Sequence, residues 1–390
     1  GEETPVRERI PILILHERVQ AFLGKPLTQT LEAYQGLLKQ SEELGLEKER
    51  VSLLTMLSLT YGSLGDPSTA QRLARESAEM AERIGERRLL AHALMRVGWT
   101  LFEVGSEEAI VFYRRAQELF SEMDDRHGYV RCQINIGISY SKIGKTTAAI
   151  EAFRSAVELG REAGAPDWAG VSALNLGVLF MWSGRFDEAR DRFEEARRLF
   201  IKLKNELHRV GTVYNMGHLA RESNDPTRAL ELYEEAASSA RRLGQLDMEI
   251  GALAGAGLAG MDLGRRDYAY TAARNAETMI GERFDWWFQG RELVEALSVR
   301  VALELGRKDE AEQRFRTAVA HTEPRDGRSA AWLAAECAPA LIAAGADVWE
   351  FVTRFSHRAD EMAYAGLAAR FRAVFARNGR SSGPRRAVGA

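Results

Sequence analysis

The feature that most constrains this chain is a glycine that returns every 39 to 42 residues. Gly24, Gly65, Gly105, Gly144, Gly184, Gly264, Gly306 and Gly345 make the series, and Asn224 fills its one gap. Asn belongs there, because it is the other residue that readily takes the left-handed backbone that ends a helix. A helix start follows the turn. In "GDPSTA" and "NDPTRA", Asp66 and Asp225 stand at N-cap positions, with Pro67 and Pro226 as the first helical residues. A period of this length across 390 residues predicts a repeat array rather than one compact core.

Two further series run in phase. Gly98, Gly137, Gly177, Gly217 and Gly257 precede the turns. Glycine inside a helix costs about 1 kcal/mol relative to alanine, so five at one phase imply that backbones approach closely there. After the turns come Ala70, Ala109, Ala149, Ala189, Ala229, Ala269 and Ala311, with Ser77, Ala116, Ala156, Ala196, Ala236, Ala276 and Ala318 seven residues on. Tyr113, Phe153, Phe193, Tyr233 and Phe315 recur between them. Each unit therefore reads as two helices with small residues where they cross and an aromatic knob.

The stretch "NLGVLFMWSGRFDEARDRFEEARRLF" (175–200) carries Leu-Gly in the first helix, Gly at the turn, and Ala, aromatic and Ala in the second. It resembles the tetratricopeptide repeat. The resemblance runs over nine units from about residue 8 to 377, most clearly from 88 to 280. The usual period is about 34 residues; units near 40 resemble the subclass with longer helices found in cell-polarity adaptors, kinesin light chains and the sensor regions of bacterial signal-transducing ATPases and transcriptional regulators. HEAT and armadillo repeats share the length but not the Gly/Ala spacing. The resemblance implies an all-α fold, a right-handed superhelical solenoid of about nine helix pairs. Residues 1–7 form an N-terminal extension, 8–377 the superhelix, and 378–390 a basic tail expected to be disordered. The last units match the signature poorly, as a capping end does.

One motif argues against this reading and fails. Gly144-Lys145-Thr146 has the ending of a phosphate-binding loop, but the loop's first glycine would be residue 139, which is Ser139. No strand precedes it, and strand-to-helix geometry is what turns backbone N–H groups onto phosphates. Nothing else announces catalysis. The seven histidines are scattered and none lies near a cysteine at ligand spacing. No nucleophile elbow, dinucleotide loop or kinase motif is present. The reading is a non-enzyme without cofactor. Charged residues make up 28% at a net −3, which gives no footprint for nucleic acid or an anionic membrane. Cys132 and Cys337 match no disulfide or zinc spacing, consistent with a reducing, cytoplasmic setting. No apolar run approaches the ~20 residues of a membrane helix.

The first helices of such units line the concave wall. Asn135, Asn175 and Asn215 stand two residues before the helical glycine in three successive units, with Arg96 and Gly255 at that place in the flanking ones. An amide both donates and accepts, so it pairs with any peptide group, and in tetratricopeptide proteins that bind extended peptides asparagines here form a ladder. The alternative is that they serve the repeat's own packing. Trp99, Phe102, Arg131, Lys142, Trp182, Tyr214, His218 and Arg221 complete the expected peptide-binding surface. Trp286, Trp287 and Phe288 in "RFDWWFQG" read as the seal of an irregular junction or as an interface anchor. The sequence thus describes an interaction scaffold for a protein or peptide partner, in bacterial-type signalling, with oligomers allowed. The alternative is a peptide-pheromone or small-molecule sensor domain. The missing initiator Met fits a piece of a larger regulator.

Overall fold

The computed structural model describes residues 6–22, 25–281, 288, 290–324 and 326–380. Every element in it is a helix, and the described residues contain no strand. In order they are α1 (Val6–Phe22), α2 (Leu27–Glu43), α3 (Glu47–Ser63), α4 (Pro67–Arg83), α5 (Arg87–Glu103), α6 (Glu108–Glu122), α7 (Arg126–Lys142), α8 (Thr146–Glu162), α9 (Pro166–Trp182) and α10 (Phe186–Lys202). There follow α11 (Glu206–Glu222), α12 (Pro226–Arg242), α13 (Leu246–Asp262), α14 (Arg266–Ile280), α15 (Arg291–Glu304), α16 (Lys308–Thr322), α17 (Gly327–Ala343), α18 (Trp349–Glu361) and α19 (Ala365–Arg377). The chain divides into two compact units, 1–168 and 169–390, with the boundary inside α9. Gly24, Trp286 and Trp287 lie outside the described residues; Phe288 is described and buried.

The local rule behind this regularity is a three-residue connector. After α3, Gly65 takes φ +83°, its N–H donates to Gly62 O at 3.1 Å, and the Asp66 N–H donates to Tyr61 O at 2.9 Å. This is a Schellman ending, which satisfies the last carbonyls of the helix. Asp66 then caps the next helix, its Oδ1 accepting the Thr69 N–H at 3.0 Å. One residue closes one helix and opens the next. Most helices from α2 to α13 have 17 residues, so a left-handed residue returns about every twenty, twice as often as the turn series shows. The additional turns use Gly45, Gly85, Gly164 and Gly244, but also Asp124 and Lys204. The non-glycine turns hide the shorter period from a search on glycine.

Small and large residues then register the pairs. The seven alanines that follow the turns, from Ala70 to Ala311, are all fully buried. The helical glycines have a different reason from the one their spacing suggests. A Cβ at Gly98 would lie 2.8 Å from the Tyr113 ring, one at Gly137 2.9 Å from Phe153, and one at Gly177 2.7 Å from Phe193. Each of these three makes room for the aromatic knob of its own pair, not for another backbone, while at Gly257 the space is taken by Leu297 and Ala272.

Within each unit, odd-numbered helices touch the next odd-numbered helix, as α3 does α5 and α13 does α15. Among the described residues no even-numbered helix does the same with the next even one. The odd helices are therefore the inner side of each stack. The described residues form nineteen helices, in keeping with a stack of about nine helix pairs. Ala363 at φ +55° separates α18 from α19.

Candidate functional site

The expected binding residues fall into two environments, one in each unit. In the first unit, α5 and α7 place Trp99, Phe102, Arg131, Asn135 and Lys142 on their inner side, all half-buried or exposed. The Trp99 and Phe102 rings tilt together at 5.2 Å, and Trp99 Nε1 donates to Glu103 Oε1 at 2.8 Å. The Lys142 ammonium sits 4.5 Å above the Phe102 ring and donates to Glu103 O at 2.9 Å, so α7 is tied to the end of α5. Arg131 lies 5.7 Å over the Trp168 ring. The result is an aromatic ledge with cations over it, a surface that offers both apolar area and positive charge.

Arg96 stands one turn before Trp99, at the place that corresponds to the asparagines. Its Nε and Nη2 are buried without a hydrogen-bond partner, and burial pulls its pKa down. An unsatisfied buried donor costs on the order of 1–3 kcal/mol, more when charged. This guanidinium is thus held in want of an acceptor. Spacing alone pointed to the asparagines and passed over the arginine, although the break in their series was the available signal.

The second unit is different. Asn175 and Asn215 donate from Nδ2 to Val171 O at 2.9 Å and to Gly211 O at 2.8 Å, one turn back in their own helices. Among the described residues the Asn135 side chain donates no hydrogen bond, and Asn135 belongs to the first unit. Asn175 and Asn215 keep a carbonyl oxygen and a second amide hydrogen to offer, with one donor of each used.

Trp182, Tyr214, His218 and Arg221 do not line an open groove. Trp182, His218 and Arg221 are packed against the last helices of the same unit, and Tyr214 against Gly251 and Gly290. Arg221 Nη2 and Nη1 bind the two oxygens of Glu336 on α17 at 2.6 and 3.1 Å, and its Nε binds Asp262 at 2.7 Å. Arg300 bridges Asp262 and Glu336 at 2.8 and 2.9 Å, and Arg370 of α19 bridges Glu222 and Glu336 at 2.8 and 2.7 Å. Trp332 Nε1 also donates to Glu222, at 2.9 Å. Three guanidiniums thus face three carboxylates across residues that lie up to 148 apart in sequence. Burial by itself would raise the Glu336 carboxyl, but Arg221, Arg370 and Arg300 together hold it well below the usual carboxylate range. His218 is edge-on to Tyr214, Tyr233 and Trp332, and burial pushes its imidazole down to about 4. Trp182 lies 6.5 Å from Tyr364 with Arg328 over its ring. Two backbones approach closely here: a Cβ on Gly366 would be 3.2 Å from Gly184 Cα.

Among the described residues, no group of three or more His, Cys, Asp and Glu could hold a metal ion, and no helix is long and apolar enough to cross a membrane. The Tetratricopeptide repeat family model matches residues 89–162 and 169–242, under half of the chain. A comparison with curated proteins found no match. Several solved structures are similar. The apo form of RapI has a TM-score of 0.60 at 16% identity, over 83% of this chain and 88% of that one. NprR in complex with its cognate peptide NprX has a TM-score of 0.53 at 15% identity, over 83% and 89%. The signal transduction ATPase PH0952 from Pyrococcus horikoshii, with its tetratricopeptide repeat sensor, scores 0.57 at 15% identity, over 70% and 43%. At these identities the likeness is one of fold, and it agrees with the turn series, the buried alanines and the glycine–aromatic pairs. The chain carries tetratricopeptide repeats at residues 89–162 and 169–242.

Proposed function

We propose that the chain is a non-catalytic scaffold, and that the inner side of α5 and α7 binds an extended peptide or a protein segment. The observation that carries this reading is the half-buried ledge of Trp99 and Phe102 with the Lys142 ammonium over it and Asn135 on the neighbouring helix. A partner's apolar side chain packs on the ledge, the cations over it suit an acidic or carbonyl group, and Asn135 pairs with the partner's backbone. Similar structures include NprR with a bound peptide, which supports a peptide as ligand class and signalling as setting. The second unit takes no part in this contact, because its inner side is filled by α17 and α19.

The test is affinity capture from a cell lysate with the parent and with a Trp99→Ala, Asn135→Ala variant, both checked for unchanged helicity. A partner retained by the parent and lost from the variant supports the reading. Equal capture by both sinks the assignment to this face.

A further inference from the structure

We propose that the edge of the first unit where α6 meets α7 carries a binding site for a small organic cation, an ammonium or guanidinium on an apolar body. A cavity of about 370 Å³ opens there, between the α6–α7 connector and the end of α8. Phe120, Tyr129, Val130, Leu159 and Ala163 supply its apolar wall. It lies at the N-terminal end of α7, whereas Lys142 of the aromatic ledge stands at the other end of that helix.

The pattern of the repeats shows that this space is a departure from the stacking rule. The left-handed residues Gly45, Gly85, Asp124, Gly164, Lys204 and Gly244 mark equivalent connectors. Before them stand Leu44, Ile84, Met123, Leu203 and Leu243, but before Gly164 the residue is Ala163. Four residues after them stand Glu49, Leu89, Trp168, His208 and Met248, but after Asp124 the residue is Gly128. Both absences belong to this one cavity. Ala163 lines it directly, and Phe120, which also lines it, lies down on Gly128, where an added Cβ would be 2.3 Å from the ring. At the α10–α11 connector the matching place is filled, with the His208 ring stacked on Phe200 at 5.0 Å. Concave sites of about 300–1,000 Å³ with apolar walls and a few polar groups are where small molecules bind.

The polar groups set the charge of the ligand. Three carboxylates, Asp124, Asp125 and Glu162, line the cavity against one guanidinium, Arg126. Arg126 faces Asp124 at 3.6 Å, and Arg88 faces Asp125 at 3.3 Å. Asp125 also caps α7, accepting the Gly128 N–H at 2.9 Å, so the positive end of that helix is answered. Glu162 is exposed and has no ion-pair partner among the described residues. It closes α8, and α6 ends at the same cavity, so the negative ends of two helices add to its charge. A cation therefore settles beside Glu162, with its apolar body against Leu159, Phe120 and the Tyr129 ring.

The experiment is a ligand-observed NMR titration of the full chain with 2-phenylethylammonium and with agmatine, using neutral 2-phenylethanol as control. The ammonium is expected to bind roughly tenfold more tightly than the alcohol, the worth of one charged hydrogen bond. Glu162→Gln, at an exposed position, should remove that preference. Ala163→Leu gives this connector the residue that Leu203 and Leu243 provide elsewhere, and should abolish binding without lowering the unfolding midpoint. Nα-acetyl-lysine methylamide identifies the source of the cation: binding equal to that of the free amines supports a partner's lysine, and clearly weaker binding supports a free small molecule. Binding of neither free cation overturns the proposal. So does an alcohol that binds as well as the ammonium, or a preference that survives Glu162→Gln. A folded Ala163→Leu variant that binds like the parent overturns it too, since the ligand then sits elsewhere.

Discussion

Gly137→Ala and Gly36→Ala are the same chemical change at two helical sites of the first unit, and the structure predicts opposite signs. In a helix interior, alanine is favoured over glycine by about 0.8–1.0 kcal/mol. Gly36 in α2 has no neighbouring atom within 4 Å of an added Cβ, so it should show that gain nearly in full. At Gly137 the added Cβ would meet three carbons of the Phe153 ring at 2.9 to 3.0 Å. Ordinary contact begins near 3.4 Å, so the ring must retreat by roughly half an ångström. Phe153 is only 1% exposed, in a core where overpacking costs typically about 1–3 kcal/mol. Setting the propensity gain against that cost leaves Gly137→Ala destabilising by up to ~2 kcal/mol. Thermal unfolding followed by circular dichroism reads both variants, and a kcal/mol shifts the midpoint by about 2–4 °C in a chain region of this size. Phe153→Leu in the Gly137→Ala background should recover part of the loss, because the smaller side chain clears the new methyl. Two midpoints moving upward together would refute the reasoning, since the glycine would then not be making room for the ring.

Lys204 and Ala363 hold left-handed backbone at φ +55°, which costs a residue with a Cβ roughly 1–2 kcal/mol, so Lys204→Gly and Ala363→Gly should each raise the unfolding midpoint. Glu336→Gln removes one carboxylate from among three guanidiniums and should destabilise the second unit by about 3–5 kcal/mol; faster labelling of the buried Cys337 by a thiol reagent is the readout. Burial raises the Glu292 carboxyl to about 7, so its contribution is fully present below its unfolded pKa near 4.5 and is lost as pH rises through 7. Glu292→Gln should therefore become more favourable relative to the parent between pH 5 and 8. The comparison must be between variants, because His218, depressed to about 4, contributes in the opposite direction, losing stability as pH falls through that value.

How much of this was legible follows from how local each cause is. The 40-residue period, the helix pairs and the caps at Asp66 and Asp225 depend on backbone preferences within one turn, and those are written residue by residue. So are the small crossings: Ala70 to Ala311 announce themselves by type and phase. The twenty-residue connector was only half visible, because Asp124 and Lys204 adopt a backbone that their side chains do not advertise. The helical glycines were visible as a series but not in their purpose, since a missing side chain does not say whether a ring or a backbone fills the space. The site was least legible. Arg221, His218 and Tyr214 have the spacing of groove residues, and nothing near them in sequence reveals that Glu336, Trp332 and Arg370 come to cover them. Those contacts bridge 110 to 148 residues, and they exist because each repeat adds a small rotation that accumulates along the stack. Sequence states the rotation's ingredients one pair at a time. Only the stacked structure sums them, and the sum decides which inner surface is open and which is filled.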